Sequence, residues 1–285
     1  MNSLLYSIRG FKIGDPAFTF DYESKGFDRS VWTKVEGEPT PSSESKIHFI
    51  ASKNIIDENF FRNITDEDPK YNFSNLQVYI NGELTDQVAN NISASANDDI
   101  VIKATSGKYP WFSINGRDCI KSIKEPLPLM HQANGDKITN FNYYFYACSS
   151  LTSIPTGLFD NNTQVTDFGG CFADCSNLTS IPTGLFDKNT QVTSFSECFY
   201  NCSGLTSIPA GLFDKNTRVT YFSECFYGCS RLTVNVQIGS TASSVRVIKF
   251  AEGTKEKGTV FCREGSAAYT AFSESTNANV NVLTY

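Results

Sequence analysis

The stretch LTSIPTGLFDKNTQVTSFSECFYNCSG, residues 178–204, decides the fold of the central third of the chain. Nearly the same 27 residues begin at Leu151 and again at Leu205, so three copies follow one another without a gap. A partial copy precedes them from Ile138, and a fourth opens at Leu232 and then diverges. A fixed period of this length is typical of a repeat array, in which each unit buries its apolar side against the next.

Within one copy, the order of residue types predicts a strand, a turn and a helix. Leu178 to Pro182 has the composition of a short β-segment that ends at the proline. The polar run 187–190 is typical of a turn. From Val192 to Cys202 the apolar residues recur at offsets of three, three, one and three, which fits one face of a helix. The repeats are therefore predicted to have an α+β architecture.

The motif F-x-x-C-F-x-x-C-S-x-L-T-S-I-P crosses each junction between copies, and its residues recur with the 27-residue period. They are Phe168, Cys171, Phe172, Cys175, Leu178 and Ile181 in one copy, and Phe195, Cys198, Phe199, Cys202, Leu205 and Ile208 in the next. The motif resembles the BspA-like leucine-rich repeats of gut-bacterial surface proteins and of phages that infect such bacteria. The resemblance covers residues 138 to about 239 and implies a leucine-rich-repeat solenoid with functions in adhesion, host-protein binding or structure.

Changes in composition along the chain predict four segments. They are an N-terminal arm at 1–45, a small β-rich domain at 46–125, the repeats at 126–239 and a C-terminal cap at 240–285. Alternating apolar residues predict strands on both sides of the repeats. Before the repeats these strands cover 76–80, 99–103 and 111–114, and after them 234–238, 244–250, 259–262 and 280–283, with a short helix at 266–273.

The N-terminal arm carries large aromatic residues without any period. Aromatic side chains on a non-periodic segment suit docking onto a partner protein, and packing on the chain's own β-rich domain is the equal alternative. The candidate attachment residues are Phe11, Phe18, Phe20, Tyr22, Phe27 and Trp32.

Each full copy holds two cysteines, four residues apart and at the same phase of the repeat. Thiols that recur at one phase are typical of small buried side chains packed between neighbouring units. Disulfides and a metal site are the alternatives, and structural zinc sites usually add histidines that these pairs lack. We therefore predict a structural core for Cys171, Cys175, Cys198, Cys202, Cys225 and Cys229, with no metal.

Positions that differ between otherwise identical copies are expected to face solvent. Tyrosines occupy several of them and form a possible partner-binding surface, because tyrosine combines a large apolar ring with a polar tip. The alternative is that these rings only cover the flank of the repeats. The residues are Tyr146, Tyr200, Tyr221 and Tyr227.

Charge and hydropathy exclude several classes of function. The net charge is −6 and the pI is near 5.1, and no basic stripe is present, so nucleic acid is not an expected partner. The same negative charge argues against electrostatic binding to an anionic membrane. No run approaches the ~20 apolar residues needed to span a bilayer, and the first residues do not resemble an export signal.

Catalytic signals are weak throughout the sequence. The chain has two histidines, His48 and His131, and neither lies in a recognisable motif. Glu197 and Glu224 occupy equivalent repeat positions, whereas acid–base chemistry needs two carboxylates in different environments. We therefore predict that the protein is not an enzyme and uses no cofactor.

The expected function is structural or adhesive, on the surface of a phage particle as a fibre, decoration or tail-associated component. The family usually acts outside cells, and a virion protein reaches the exterior without an export signal. The alternative is a bacterial cell-surface adhesin or host-protein binder whose export signal is missing. Expected partners are other particle proteins, a host surface protein or a glycan, and the chain is expected to form a homo-oligomer.

Overall fold

The structure is a computed structural model, and it describes residues 18–20, 32–34, 46–57, 75–87, 92–106, 109–110, 118–131, 135–275 and 279–285. The chain divides into two compact units, residues 1–44 and 45–285. In the first unit, strand β1 (Phe18–Phe20) pairs antiparallel with β2 (Trp32–Lys34).

The second unit begins with short strands rich in β-branched residues, which favour a pleated, half-buried surface. They are β3 (Ile47–Ala51), β4 (Ile55–Asp57), β5 (Leu76–Ile80), β6 (Glu83–Leu84), β7 (Ile92–Ala94), β8 (Asp99–Ala104), β9 (Tyr109–Pro110), β10 (Ile120–Ile123) and β11 (Met130–His131). Five of them form an antiparallel sheet in the order β10-β3-β8-β5-β6. Alternate residues such as Ile100 and Ile102 of β8 are fully buried, so one face of this sheet lies on the core.

The dipeptide Asn81-Gly82, directly after the strand predicted at 76–80, is typical of a tight turn, and the structure has a hairpin turn there between β5 and β6. Asn81 and Gly82 both have positive φ angles, of 53° and 87°, as a two-residue hairpin turn requires. The strand predicted at 76–80 is β5, and the one predicted at 99–103 lies within β8. The strand predicted at 111–114 lies outside the described residues.

The fold class predicted for the chain, α+β with a leucine-rich-repeat solenoid, is wrong. The described residues are mainly β-strands and turns, with a single helix near the C-terminus. From residue 135 to 232 the backbone forms turns and isolated bridges, with neither a strand over 178–182 nor a helix over 192–202. One series of these bridges is parallel and links Asn140, Asp167, Ser194, Tyr221 and Arg246 in succession.

The predicted helix is absent because the backbone is left-handed at two positions within the segment 192–202. Glu197 and Asn201 have φ angles of 58° and 52°, which a right-handed helix does not allow. Alternate N–H groups therefore donate to the next copy instead of the preceding turn. The pairs are Phe195 to Tyr221, Glu197 to Ser223, Phe199 to Cys225 and Asn201 to Tyr227, with N···O distances of 2.7–2.9 Å.

Apolar side chains at equal phase stack into columns between the copies. Phe145, Phe172, Phe199 and Phe226 form one column, with ring centroids 5.1–5.5 Å apart and nearly parallel planes. Two further phenylalanine columns are Phe141, Phe168, Phe195 and Phe222, and Phe159, Phe186 and Phe213. All of these rings are fully buried, so they fill the interior of the repeats.

The C-terminal residues form a parallel three-stranded sheet with a helix against it. Strand β13 (Glu256–Cys262) lies between β12 (Thr233–Ile238) and β14 (Val280–Thr284). Helix α1 (Ala267–Glu274) is capped by Ser266, whose side chain accepts from the Tyr269 N–H.

The prediction of a strand at 244–250 is wrong. This segment instead continues the repeat pattern, because the carbonyls of Arg246, Ile248 and Phe250 accept from the last copy. Phe250 then contacts Phe272 of α1 at 4.9 Å, which places the helix over the end of the phenylalanine columns.

Candidate functional site

One side of the repeats carries a row of tyrosines. Tyr146, Tyr200 and Tyr227 occupy equivalent positions, and Ala173 occupies the same position between the first two. Tyr200 and Tyr227 stack with ring centroids 5.0 Å apart and planes 7° from parallel. Tyr146 is 39% exposed, and the two stacked rings are half-buried. Three of the four predicted contact residues therefore share one column of the repeats.

The fourth predicted contact residue, Tyr221, belongs to another column. It lies in the row of parallel bridges, between Ser194 and Arg246. Its side chain is 48% exposed, the most exposed of the four. The structure thus leaves Tyr221 on the surface of the repeats but outside the row that holds the other three tyrosines.

A fifth tyrosine, Tyr143, belongs to the same surface and was not predicted. Its hydroxyl donates to Oε2 of Glu197 at 3.0 Å, across two copies of the repeat. Its ring lies over Gly170, where a Cβ atom would come within 2.2 Å of the ring. The sequence contains a signal for this contact. Gly170 stands where the later copies have glutamate, and the missing side chain makes room for a neighbouring ring.

Carboxylates surround these rings. The negative charge of Asp174 raises the pKa of Tyr146. Burial together with the Glu197 carboxylate raises the pKa of Tyr143 to about 12. Burial raises the pKa of Tyr200, and the neighbouring Tyr227 and Glu224 add to that increase.

We call this group of residues the acidic tyrosine surface. It consists of Tyr143, Tyr146, Asp174, Glu197, Tyr200, Glu224 and Tyr227. The four turn segments that build it, 138–149, 165–176, 192–203 and 219–230, contain no lysine or arginine. The basic residues of the full copies lie elsewhere, at Lys188, Lys215, Arg218 and Arg231. The basic side chains of the full copies therefore all lie outside the segments that build this surface.

A lysine from the segment that follows the repeats contacts one end of this surface. Lys249 Nζ lies 5.6 Å from the centre of the Tyr227 ring, on which a cation is attracted by the ring electrons. The same Nζ is 3.8 Å from Oε2 of Glu252. A cation held between a tyrosine ring and a carboxylate is thus already part of the fold.

The six paired cysteines lie in the interior, as columns beside the phenylalanines. All six are fully buried, and no disulfide joins them. In one column, the Sγ atoms of Cys175, Cys202 and Cys229 donate to phenylalanine carbonyls at 3.0–3.2 Å. Burial raises the pKa of the Cys198 thiol well above its usual value, which disfavours the reactive thiolate.

His48 is held between two carboxylates in the N-terminal sheet. Its Nε2 is 2.7 Å from Oδ1 of Asp99, and its Nδ1 is 3.1 Å from Oε1 of Glu125. Lys46 Nζ contacts the same Glu125 oxygen at 2.9 Å. These contacts tie strands β3 and β8 to the segment that leads into the repeats.

The described part of the chain has no group of three or more His, Cys, Asp or Glu side chains arranged to hold a metal ion. No helix there is both long and apolar enough to cross a bilayer.

The predicted attachment arm is described only in part. Phe11, Tyr22 and Phe27 lie outside the described residues. The backbone of Phe18 and Phe20 belongs to β1 and that of Trp32 to β2, with Phe20 opposite Trp32 in the pairing register.

Comparison with known protein families, with curated proteins and with solved structures finds no match for this chain.

Proposed function

We propose that this protein is a non-catalytic structural or adhesion component displayed on a phage virion, where the repeats present the acidic tyrosine surface to a partner. The observation that carries the proposal is the contrast between the two sides of each copy. The side chains that fill the interior are the same in every full copy, and the positions that differ lie mainly on the outside.

The interior leaves little freedom for variation. Phe172, Phe199 and Phe226 must stack on one another, and a change of volume in a close-packed column destabilises the fold. Other positions carry no such restriction. Tyr200 and Tyr227 stand where the first full copy has Ala173, and the backbone hydrogen bonds at these positions are the same in all three copies. Variation at exposed positions of a rigid framework supports a contact function there.

Exposed tyrosines add to this support. Tyr143, Tyr146 and Tyr221 are each more than a third exposed, although burial of aromatic surface is favourable. Tyrosine rings are enriched where proteins contact one another, because they bring large area at low conformational cost.

The virion setting rests on the resemblance of the repeat motif to the BspA-like family, some of whose members belong to phages. The alternative setting is the bacterial cell surface, where the same contact surface would serve an adhesin. Partners in either setting would be particle proteins, a host surface protein or a glycan.

Mass spectrometry of density-purified particles tests the setting. The proposal expects peptides of this chain in the particle band, in constant ratio to the capsid protein across the gradient. Surface proteolysis of intact cells, analysed in parallel, would release these peptides if the chain is a bacterial adhesin. Peptides found only in that cell-surface fraction would overturn the virion setting in favour of the alternative.

A further inference from the structure

The C-terminal parallel sheet ends at a strand that has a partner on one side only. Strand β14 lies last in the order β12-β13-β14, and among the described residues it pairs with β13 alone. A groove beside it is lined by four consecutive residues of the strand, 280–283, and by parts of β13 and the end of α1. Successive side chains of a strand point to opposite faces, so a groove that touches all four lies along the edge. In the described part of the chain, this edge is therefore open.

The backbone groups on the open edge can be assigned from the bonds on the other side of the strand. The Asn279 carbonyl accepts from the Gly258 N–H, and the Tyr285 N–H donates to the Cys262 carbonyl, both at 3.3 Å. In a strand, the N–H and C=O of one residue point to the same side, and alternate residues point to opposite sides. The odd-numbered residues therefore bond to β13. The residues whose N–H and C=O groups point outward are Val280, Val282 and Thr284.

This edge lacks the features by which sheets usually avoid pairing with another chain, since protected edges are short, charged or covered. At one edge of the five-stranded sheet, β6 has only two residues, and one of them is Glu83. At the other edge, β10 is linked to the repeats through the bridge between Ser122 and Ser153. By contrast, β14 has five residues, and the segment 275–285 carries no charge. An edge of this kind is expected to be paired in the assembled protein.

Apolar side chains beside the open edge are also left in solvent. Leu283 of β14 is 51% exposed, and Tyr285, which directly follows the strand, is 57% exposed. Both lie on the face opposite to that of the buried Val280, because alternate residues point to opposite faces. A further strand paired with β14 would cover part of both side chains, and burial of apolar surface is favourable.

These features favour a second copy of this chain as the partner. The chain has a net charge of −6, but the edge segment has none, so two copies can meet here without repulsion. Lys257, which lines the groove, lies beside the start of β14, so the two lysines of an antiparallel pair are at opposite ends. Antiparallel pairing of two identical edges also closes, because each copy contributes one such edge and both are then used.

We propose that two copies of the chain pair antiparallel through β14, about a two-fold axis, and so join their C-terminal sheets into one. Hydrogen bonding requires outward-pointing residues to lie opposite each other. The register that uses all of them places Val282 opposite the partner's Val282, and Val280 opposite the partner's Thr284. On the other face, Asn281 lies opposite the partner's Leu283.

The pairing has a consequence for binding. Each dimer presents two acidic tyrosine surfaces, so a partner with repeated sites can be held by both at once. The inference goes beyond the proposed function and does not depend on whether the chain belongs to a virion or to a cell surface.

Sedimentation velocity of the full chain, at a series of micromolar concentrations, tests the association. A single strand pair buries less area than a standard protein interface, so we expect a reversible monomer–dimer equilibrium. The species that grows with concentration should have about twice the 31.6 kDa mass of one chain. A monomer at every concentration would overturn the inference and leave the edge to a different protein. A trimer would overturn it as well, because two identical edges close as a dimer.

Leu283→Lys and Leu84→Lys are a matched pair of variants. Both leucines are more than half exposed and lie on strands at the edge of a sheet. Only the first variant places a lysine of each copy at the proposed interface, where like charges repel and apolar cover is lost. Its dimer dissociation constant should rise about tenfold or more. The second variant should associate like the wild type, and equal dissociation constants in both would contradict the interface.

The backbone bonds are tested at the two-fold position. Val282→Pro removes an outward N–H that the pairing with β13 does not use, and proline is tolerated on edge strands in that orientation. Val282→Ala is the control, because it shortens the side chain and keeps the N–H. We expect the proline variant to be monomeric and the alanine variant to form dimers, with circular dichroism and thermal unfolding as checks of the fold. Dimers of equal strength in both would show that strand pairing does not join the copies.

Cross-linking tests the register. All nine native cysteines are buried, so a mild oxidant should act on introduced surface thiols. An equimolar mixture of Asn281→Cys and Leu283→Cys should form a disulfide-linked dimer on non-reducing electrophoresis, because these positions lie opposite each other. Each variant alone should form much less, since its thiols lie diagonally. A mixture that cross-links no better than either variant alone would overturn the two-fold pairing in this register.

Discussion

The five-stranded sheet and the repeats hold their backbones together in different ways. In the sheet, β3, β8 and β5 pair along continuous antiparallel registers, and each strand has a partner of different sequence. In the repeats, alternate N–H groups donate to a near-identical copy about 26 residues later, and the others close tight turns within their own copy. The sheet is therefore specified by strand pairing, whereas the repeats are specified by what stacks between the turns.

The sheet and the repeats therefore depend on different interactions for their stability. A strand uses backbone angles that most residues adopt freely, but each copy of the repeat holds residues such as Glu197 at positive φ, at a cost of about 1 kcal/mol each. Burial of the phenylalanine columns offsets that cost. The repeats should accordingly be more sensitive than the sheet to changes in the side-chain columns.

The largest effect is expected from a gap in a phenylalanine column. Phe199 is fully buried and stacks on Phe172 and Phe226 at 5.5 Å on each side. Phe199→Ala should lower the free energy of unfolding by about 3–5 kcal/mol, because it removes buried area and leaves a cavity. Chemical denaturation measures the change. Phe199→Leu, which fills most of the space, should cost clearly less, and equal costs would show that the column contributes no specific packing.

A somewhat smaller effect is expected in the column of buried asparagines, which consists of Asn162, Asn189 and Asn216. The described residues of the sheet include no buried asparagine. Asn189 Nδ2 donates to the carbonyls of Asn162 at 2.9 Å and Phe159 at 3.3 Å. Asn189→Ala should cost about 2 kcal/mol, because buried carbonyls lose their donor. Thr190→Ala, at the exposed neighbouring position, is the control and should change stability little. A similar loss in both would contradict the assignment.

The third-largest effect on stability is expected when a residue of one copy is replaced by the equivalent residue of the next copy. Gly170→Glu introduces the residue found at 197 and 224, and its Cβ would meet the Tyr143 ring at 2.2 Å. We expect a loss of about 1–2 kcal/mol, because the ring must leave its position. Combination with Tyr143→Ala should recover most of this loss. Additive losses in the double variant would show that the two residues do not interact.

A smaller effect should appear at high pH. The pKa of Tyr143 is raised to about 12, by burial and by the Glu197 carboxylate that its hydroxyl contacts. The folded state thus holds this proton more tightly than the unfolded state, whose pKa is near 10. Its contribution to stability is complete below pH 10 and is lost as the pH rises through 12. The wild-type protein should lose more stability than Tyr143→Phe over that range in denaturant titrations at stepped pH, and parallel losses would contradict the contact.

The last difference expected between the two regions concerns the reactivity of their cysteines and not their stability. Cys198 and Cys225 of the repeats are fully buried, whereas Cys119, which directly precedes β10 of the sheet, is 7% exposed. Iodoacetamide should modify Cys119 first and leave the repeat cysteines unmodified in the native protein, because burial also raises the pKa of their thiols. Peptide mass spectrometry gives the order of modification. Early modification of Cys198 would show that the interior opens locally.

Part of the surface could be predicted from sequence for a definite reason. Comparison of copies separates positions that packing holds constant from those that it leaves free, and Tyr146, Tyr200 and Tyr227 were found in this way. Tyr143 was missed because its partner Glu197 is two copies away, and a one-copy comparison does not pair them. Tyr221 stands at another phase of the repeat than the other three, and phase alone does not say whether two columns form one surface.

The 27-residue period, the phase of the buried phenylalanines and cysteines, and strands such as β5 and β8 can be predicted from the amino-acid sequence, because apolar spacing reflects which side chains are buried. The path of the backbone between those side chains cannot. The offsets from Val192 to Cys202 fit a helix and a series of turns equally well. Turns form because the N–H groups of Glu197 and Asn201 donate to carbonyls of the next copy, and no local pattern of residues specifies those long-range acceptors.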